Sequence, residues 1–233
     1  MKTAFALLCS VALTTISVAG GIVVQKLHGN VSVRQGVTEV WNRVAVGDIL
    51  RPDDTMKTGT NGTAVLIVGR ESGETKRMAL PPEVIVDMSD IRDLTQEELM
   101  LKLTMEKVRS SSYQWKNDEL HVPNAAVVHG ASAASASPPA ENDPAVGVFQ
   151  LNGTRVLFEH GFYSTCALKS MEVFRLYPAL GQKFENRLLV AEALERARLR
   201  GEALNEYGLL LTLEGLTADQ QELVKARMAE LRR

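Results

Sequence analysis

Residues 29–88 hold GNVSVRQG (29–36), VAVGDIL (44–50), DDTMKTGTNGTAVLIV (53–68) and MALPPEVIVDM (78–88). Short apolar runs alternate with Gly, Asn and Asp punctuation, the pattern of small strands joined by tight turns. Leu27, Val31 and Val33 alternate with His28, Asn30, Ser32 and Arg34, which predicts a half-buried strand. A second run around Trp41 spans Val37 to Val46 and closes at Gly47-Asp48. Asn61-Gly62 leads into Thr63–Val68, whose unbroken AVLIV predicts a strand covered on both faces. Ser72-Gly73 reads as a hairpin turn into Met78–Leu80, and Val84, Val86 and Met88 alternate again. Six or so strands at this spacing predict a small all-β sandwich or roll. A helix follows: Thr95 with Glu98 has the spacing of a capping box, and Leu99, Leu103 and Val108 recur on one face.

Working toward the N-terminus, Lys2 precedes the apolar run AFALLCSVALTTISVA, which ends at Ser17-Val18-Ala19. That is the layout of a secretory signal peptide over residues 1–19, cut after Ala19. The rival is a retained anchor, since Gly20 to Val24 prolongs the run toward a bilayer span of roughly 20 residues. Either way Lys2 marks the cytoplasmic side and the remainder is exported.

Working toward the C-terminus, residues 129–145 are rich in Ala, Ser and Pro and low in apolar content. Such a stretch buries too little surface to offset its ordering entropy, so it reads as a linker. It separates a β module with a trailing helix (22–128) from a second region (146–233). The second region opens with VFQL, Asn152-Gly153 and TRVLF, a pattern that predicts a β-hairpin. Helices follow. Leu168, Met171 and Val173 run to a stop at Tyr177-Pro178, Leu188 to Ala197 mark another, and Arg200-Gly201 is its break. Ala203, Tyr207, Leu210 and Leu211 mark a third, and Thr217 with Gln220 caps a fourth carrying Val224, Met228 and Leu231. The fold class is therefore α+β, in two parts.

The chain has 233 residues and a formal net charge of −2. With no basic footprint, nucleic acid is not the expected partner. Beyond the leader the one cysteine is Cys166, which excludes an intramolecular disulfide there and predicts a buried small side chain. His28, His121, His129 and His160 are scattered without metal-ligand spacing. Asp53-Asp54 reads as a solvated turn. Asp87, Asp90 and Asp93 lack the glycine and closing Glu of a calcium loop. Tyr113 and Trp115 alternate, as aromatic rings that stack on sugars do, or as residues packing on the β module. Arg196, Arg198 and Arg200 among glutamates predict a solvated helix face. Asn30, Asn61 and Asn152 each open an Asn-x-Ser/Thr sequon and read as turn chemistry. No residue is assigned as catalytic, cofactor-binding or metal-binding.

The order G-x-V-x-V-R-x-G (Gly29 to Gly36), Trp41, G-x-x-L (Gly47 to Leu50), T-x-K-T-G (Thr55 to Gly59) and A-V-L (Ala64 to Leu66) resembles the FecR-like domain. The likeness covers about residues 25 to 90. Two positions depart from it: Asp53-Asp54 stands where the family has Gly-Asp, and Ser72-Gly73 where it has Asp-Gly. Both keep turn-forming residues. The resemblance implies a bacterial ligand-binding domain outside the cytoplasm, best known from regulators that relay signals to sigma factors. Such a regulator carries a cytoplasmic segment ahead of its membrane helix, and here Met1 and Lys2 alone precede the apolar run. The expectation is the exported domain without sigma-factor control.

Residues Phe184 to Leu216 resemble one tetratricopeptide-like helical hairpin, with Ala191, Leu194, Ala203, Tyr207 and Leu210 in the small and apolar positions. No second clean copy stands at the repeat spacing, and a plain bundle is the alternative. Together these readings describe an exported, non-enzymatic binding or scaffold protein of the bacterial periplasm or cell envelope, acting in envelope signalling or assembly. Its expected partners are envelope proteins. The alternative is a binder of peptidoglycan or another polysaccharide through Tyr113 and Trp115.

Overall fold

In the computed structural model the described residues are 21–70, 73–114 and 143–233, with the backbone alone at 111–114. The signal peptide, its cleavage site, Ser72, Trp115, His121, His129 and the linker up to residue 142 lie outside them.

Among the described residues apolar alternation and tight turns produce eight strands: β1 (Ile22–His28), β2 (Val31–Gln35), β3 (Asn42–Arg43), β4 (Ile49–Leu50), β5 (Asp54–Thr58), β6 (Thr63–Gly69), β7 (Thr75–Leu80) and β8 (Ile85–Asp87). They form two antiparallel four-stranded sheets, ordered β4-β1-β6-β7 and β3-β2-β5-β8. Val24, Leu66 and Met78 from the first sheet and Val33, Met56 and Val86 from the second share one core. Full burial of each such side chain stabilises the fold by about 1.5–3 kcal/mol.

The alternation from Leu27 to Arg34 is not one strand. The chain turns at Gly29-Asn30 and changes sheets, so β1 and β2 belong to different layers. Gly29 has φ +67°, and a Cβ there would lie 2.0 Å from the Asn61 carbonyl oxygen. A Cβ on Gly62 would lie 2.0 Å from the Asn30 carbonyl oxygen, so two turns cross where only glycine lets their backbones meet.

Three further expectations are corrected. The run around Trp41 is mostly loop, with β3 reduced to two residues. AVLIV in β6 is buried on one face and half-buried on the other, because the second face of its sheet is not fully covered. Asp54 is buried at the start of β5, its carboxylate accepting from the Arg51 amide at 2.7 Å, while Asp53 is exposed.

Among the described residues six helices follow: α1 (Gln96–Gln114), α2 (Pro144–Glu159), α3 (Tyr163–Leu176), α4 (Phe184–Arg196), α5 (Arg200–Leu210) and α6 (Ala218–Arg232). Thr95 Oγ1 accepts from the Glu98 amide at 3.2 Å, one half of the predicted capping box, while the Glu98 carboxylate pairs with Arg92 and Lys102 instead. Leu99 and Leu103 of α1 are buried, but Val108 is exposed and Glu106 is buried in its turn of the helix. Tyr113 lies on this helix, not on a strand or loop. The predicted box at Thr217 and Gln220 has both of its hydrogen bonds.

The predicted β-hairpin does not exist. VFQL, Asn152-Gly153 and TRVLF all lie inside α2, which starts within the stretch read as linker: Asp143 accepts from the Ala145 amide and Pro144 occupies the first turn. The buried positions Gly147, Leu151, Thr154 and Leu157 follow helical spacing. Gly153 is a packing glycine, since a Cβ there would stand 2.0 Å from the Ile85 carbonyl oxygen of β8. The helical region therefore docks directly on the sandwich.

A second correction concerns the repeat. Helices α2–α3 and α4–α5 are two copies of one hairpin, in register at a constant displacement. Buried Leu157 matches Leu194, Cys166 matches Ala203 and Val173 matches Leu210. The connecting turns match bond for bond. Phe162 and Leu199 amides reach the carbonyls of Leu157 and Leu194 at 2.9 Å each, and Gly161 and Arg198 amides reach Phe158 and Glu195 at 2.9 Å each. Gly161 (φ +77°) and Arg198 (φ +63°) hold the same left-handed position. The second break falls at Ala197–Leu199, so Arg200 and Gly201 already belong to α5.

Candidate binding surface

The sandwich has two sides, and the helices cover one. Helix α2 lies against β8 and β7: Asn152 Nδ2 donates to the Glu83 carbonyl at 2.9 Å, the Lys76 ammonium donates to the His160 carbonyl, and the Ala79 amide donates to His160 Nε2 at 3.4 Å. Burial and the nearby Lys76 charge lower the His160 pKa, which favours the neutral ring that can accept this bond.

At the opposite side, β3 and β4 end their sheets. Among the described residues nothing pairs with their outer edges. The loop segments beside them expose Val37 (102%), Val40 (64%) and Val46 (62%), and β4 itself exposes Ile49 (69%). Four large apolar side chains in so short a stretch mark an interaction surface better than scattered exposure does. Very short edge strands are also how sheets limit unwanted pairing.

Register places a cationic cluster beside this edge. Arg43, Ser32, Lys57 and Ile85 form one cross-strand row, and Arg34, Thr55 and Asp87 form the next. Trp41 joins them: the Arg34 guanidinium lies 5.4 Å and the Lys57 ammonium 5.7 Å from its ring centroid. Lys57 is also 5.7 Å from the Phe149 ring of α2. Such contacts hold long cations in place at about 0.5–1 kcal/mol each at exposed sites.

The joint between the parts is a charged cleft of about 330 Å³ lined by Asp90, Lys102, Met105, Glu106, Leu168 and Lys169. Lys169 Nζ lies 2.7 Å from Asp87 and 3.1 Å from Glu172. Burial works against its charge, but Asp87, Asp90 and Glu172 raise its pKa overall. Burial also works against the Asp87 carboxylate, and Lys169 with a 2.6 Å bond from Thr55 Oγ1 outweighs it, so its pKa is lowered. Asp90 has no such bond. Burial pushes its carboxyl up to about 6, and its Oδ2 has no partner among the described residues. Arg175 pairs with buried Glu106 at 2.5 Å, tying α3 to α1. These are ties between elements, and their charges are largely consumed by one another.

A smaller groove of about 220 Å³ lies between α2 and α4, where Phe158, Leu188 and Leu189 stand among Glu159, Glu185 and Glu192. Glu192 has a raised pKa, from burial first.

The remaining residues of interest disperse. Cys166 is buried and free, and burial pushes its thiol up to about 12, so it is a packing residue of α3 rather than a nucleophile. His28 is exposed and His160 half-buried at separate places. Asp93 pairs with Arg70 at 3.6 Å, apart from the bonds that hold Asp87. Among the described residues no group of three or more His, Cys, Asp or Glu could hold a metal ion. Arg196, Arg198 and Arg200 are exposed, but not on one helix face: Arg196 ends α4, Arg198 lies in the turn and Arg200 begins α5. Among the described residues no helix is long and apolar enough to cross a membrane. Ile22 and Val24, which prolong the apolar leader in sequence, are core residues of β1.

Sequence reasoning missed the Trp41 cluster. The signal was present in R-x-G and M-K-T, but no local rule says that Arg34 and Lys57 share a face with Trp41. Strand register alone brings them together.

Compared with family models, with curated proteins and with solved structures, the chain gives no match.

Proposed function

We propose that this chain is a non-enzymatic binding or scaffold protein, exported to the bacterial periplasm or cell envelope, where it holds a protein partner. The FecR-like resemblance of residues 25–90 and the signal-like leader motivate the location. The bare β3/β4 edge with its exposed Val37, Val40, Val46 and Ile49 carries the binding reading. Exposed sheet edges recruit extended segments through main-chain hydrogen bonds, with side-chain contacts adding selectivity. The two helical hairpins, tetratricopeptide-like in the second copy, supply a second surface at the α2/α4 groove. The buried, high-pKa thiol of Cys166 and the mutually paired charges of the joint support a structural role for these groups over chemistry.

A photo-crosslinking residue at position 37 or 46 of the full chain, activated in intact cells, tests this. A defined protein adduct at both positions is the expected result, with the mature N-terminus beginning after Ala19. Retention on purified envelope polymer without any protein adduct would favour the polysaccharide reading instead. An intact Met1 would overturn the cleavage expectation.

A further inference from the structure

The outer face of the sheet β3-β2-β5-β8 presents Arg34, Arg43 and Lys57 around Trp41, and none of the three has a carboxylate within ion-pair distance among the described residues. The acid in the same rows, Asp87, is already held by Thr55 and Lys169. The cations are also pre-positioned. Arg34 and Lys57 rest against Trp41, so a ligand that meets them gives up less side-chain freedom than one meeting free lysines.

Arg43 stands on β3 itself, the last strand of this sheet. Cross-strand partners point to the same face, so Arg43 shares the outer face with Ser32 and Lys57. Its neighbour Asn42 pairs with core residue Val33 and points toward the other face, as does half-buried Val44, which packs on the core. A strand added outside β3 would lie about 4.8 Å away and alternate in the same way. Its outward side chains would meet Arg43 and the cluster behind it, and its inward ones would meet the Val44 side.

We propose that the β3 edge accepts an extended segment of a partner protein in which acidic and apolar side chains alternate, added as a fifth strand. This rests on the reading of the bare edge as the binding surface, and names the segment that surface selects. Acidic positions pair with Arg43 and are drawn by the positive field of Arg34 and Lys57 in the strands behind it; a basic segment meets three like charges and is rejected.

The probe is a synthetic peptide alternating glutamate with valine, titrated into the full chain carrying Trp115→Phe. The sequence has two tryptophans, so Trp41 is then the sole indole reporter. Binding should shift Trp41 emission, and hydrogen exchange should slow at residues 40–44. Arg43→Glu should weaken binding by about tenfold or more. The same peptide N-methylated at every residue should not bind, because neither of its edges can then donate to the ladder. A lysine-for-glutamate peptide that binds equally well, an N-methylated peptide that binds unchanged, or no response at millimolar peptide each overturn the proposal. Crosslinks from positions 37 and 46 that persist in the Arg43→Glu chain, together with any of those results, leave the edge as a binding surface and remove only the acidic segment. Absence of all crosslinks removes both.

Discussion

The two helical hairpins share a backbone and differ in what they touch. α2–α3 lies against the sandwich, and α4–α5 packs on its sister hairpin. At matching positions the first has Gly153, Lys169 and Ser170, and the second has Val190, Glu206 and Tyr207. Gly153 lets the β8 backbone approach, and Lys169 meets Asp87 at the joint. In the second copy Val190 fills a helix-only core, Glu206 pairs with Arg187 at 3.1 Å, and Tyr207 donates to Glu195 at 2.8 Å. The two hairpins share their turn geometry and differ in their docking residues. A repeat can thus be clear in its turns and hidden in its composition.

Exchanging residues between the copies breaks the comparison most severely at the joint. Lys169→Glu should cost about 4 kcal/mol or more, since it leaves Asp87 and Asp90 without their cation and adds a like charge. Denaturant unfolding measures this, and a loss below 1 kcal/mol would show that the joint does not depend on the ion pair. Gly153→Val should cost about 3 kcal/mol by forcing α2 off β8. Hydrogen exchange should then quicken at residues 84–87 while the α4–α5 turn stays protected. Equal loosening of both hairpins would contradict the assignment of Gly153 to docking.

Asp90→Asn sharpens the same contrast in the opposite direction. The folded carboxyl titrates at about 6 against an ordinary 3.8, so the folded chain keeps a proton that the unfolded chain has already released. The associated stability is complete below about pH 3.8 and is lost as pH rises through about 6. The substitution should therefore stabilise the protein by about 3 kcal/mol near pH 7.5, with the gain shrinking to nothing below pH 4. Melting temperatures across that range decide it; a gain independent of pH would point to another cause. The smallest effect is expected at the left-handed turn. Arg198→Gly, which copies Gly161, should stabilise by up to about 1 kcal/mol by removing backbone strain. No gain would mean that the arginine side chain offsets the strain.

The β module was legible from sequence because its signals are local. Asn61-Gly62 and the alternation of Val84, Val86 and Met88, all buried, act within a few residues. Less legible was the sheet each strand joins, since Leu27 and Val33 continue one alternation across a change of layer. The region 146–158 was misread because its apolar residues fit a two-residue period flanking Asn-Gly as well as a helical one. The Asp143-Pro144 start signal lay inside a stretch whose composition reads as linker.

The sequence by itself determined the two-part α+β organisation, the stop of α3 before Tyr177-Pro178, the helix start at Thr217 and the burial of Cys166. Apolar period, capping chemistry and turn residues are properties of neighbouring positions, and they suffice for those features. Only the tertiary structure decided that Asn152-Gly153 sits in a helix, that one side of the sandwich is covered and the other bare, and that Arg34 and Lys57 converge on Trp41. Each of those outcomes depends on which distant backbone comes close. That proximity is fixed by packing and strand register, which no local window contains.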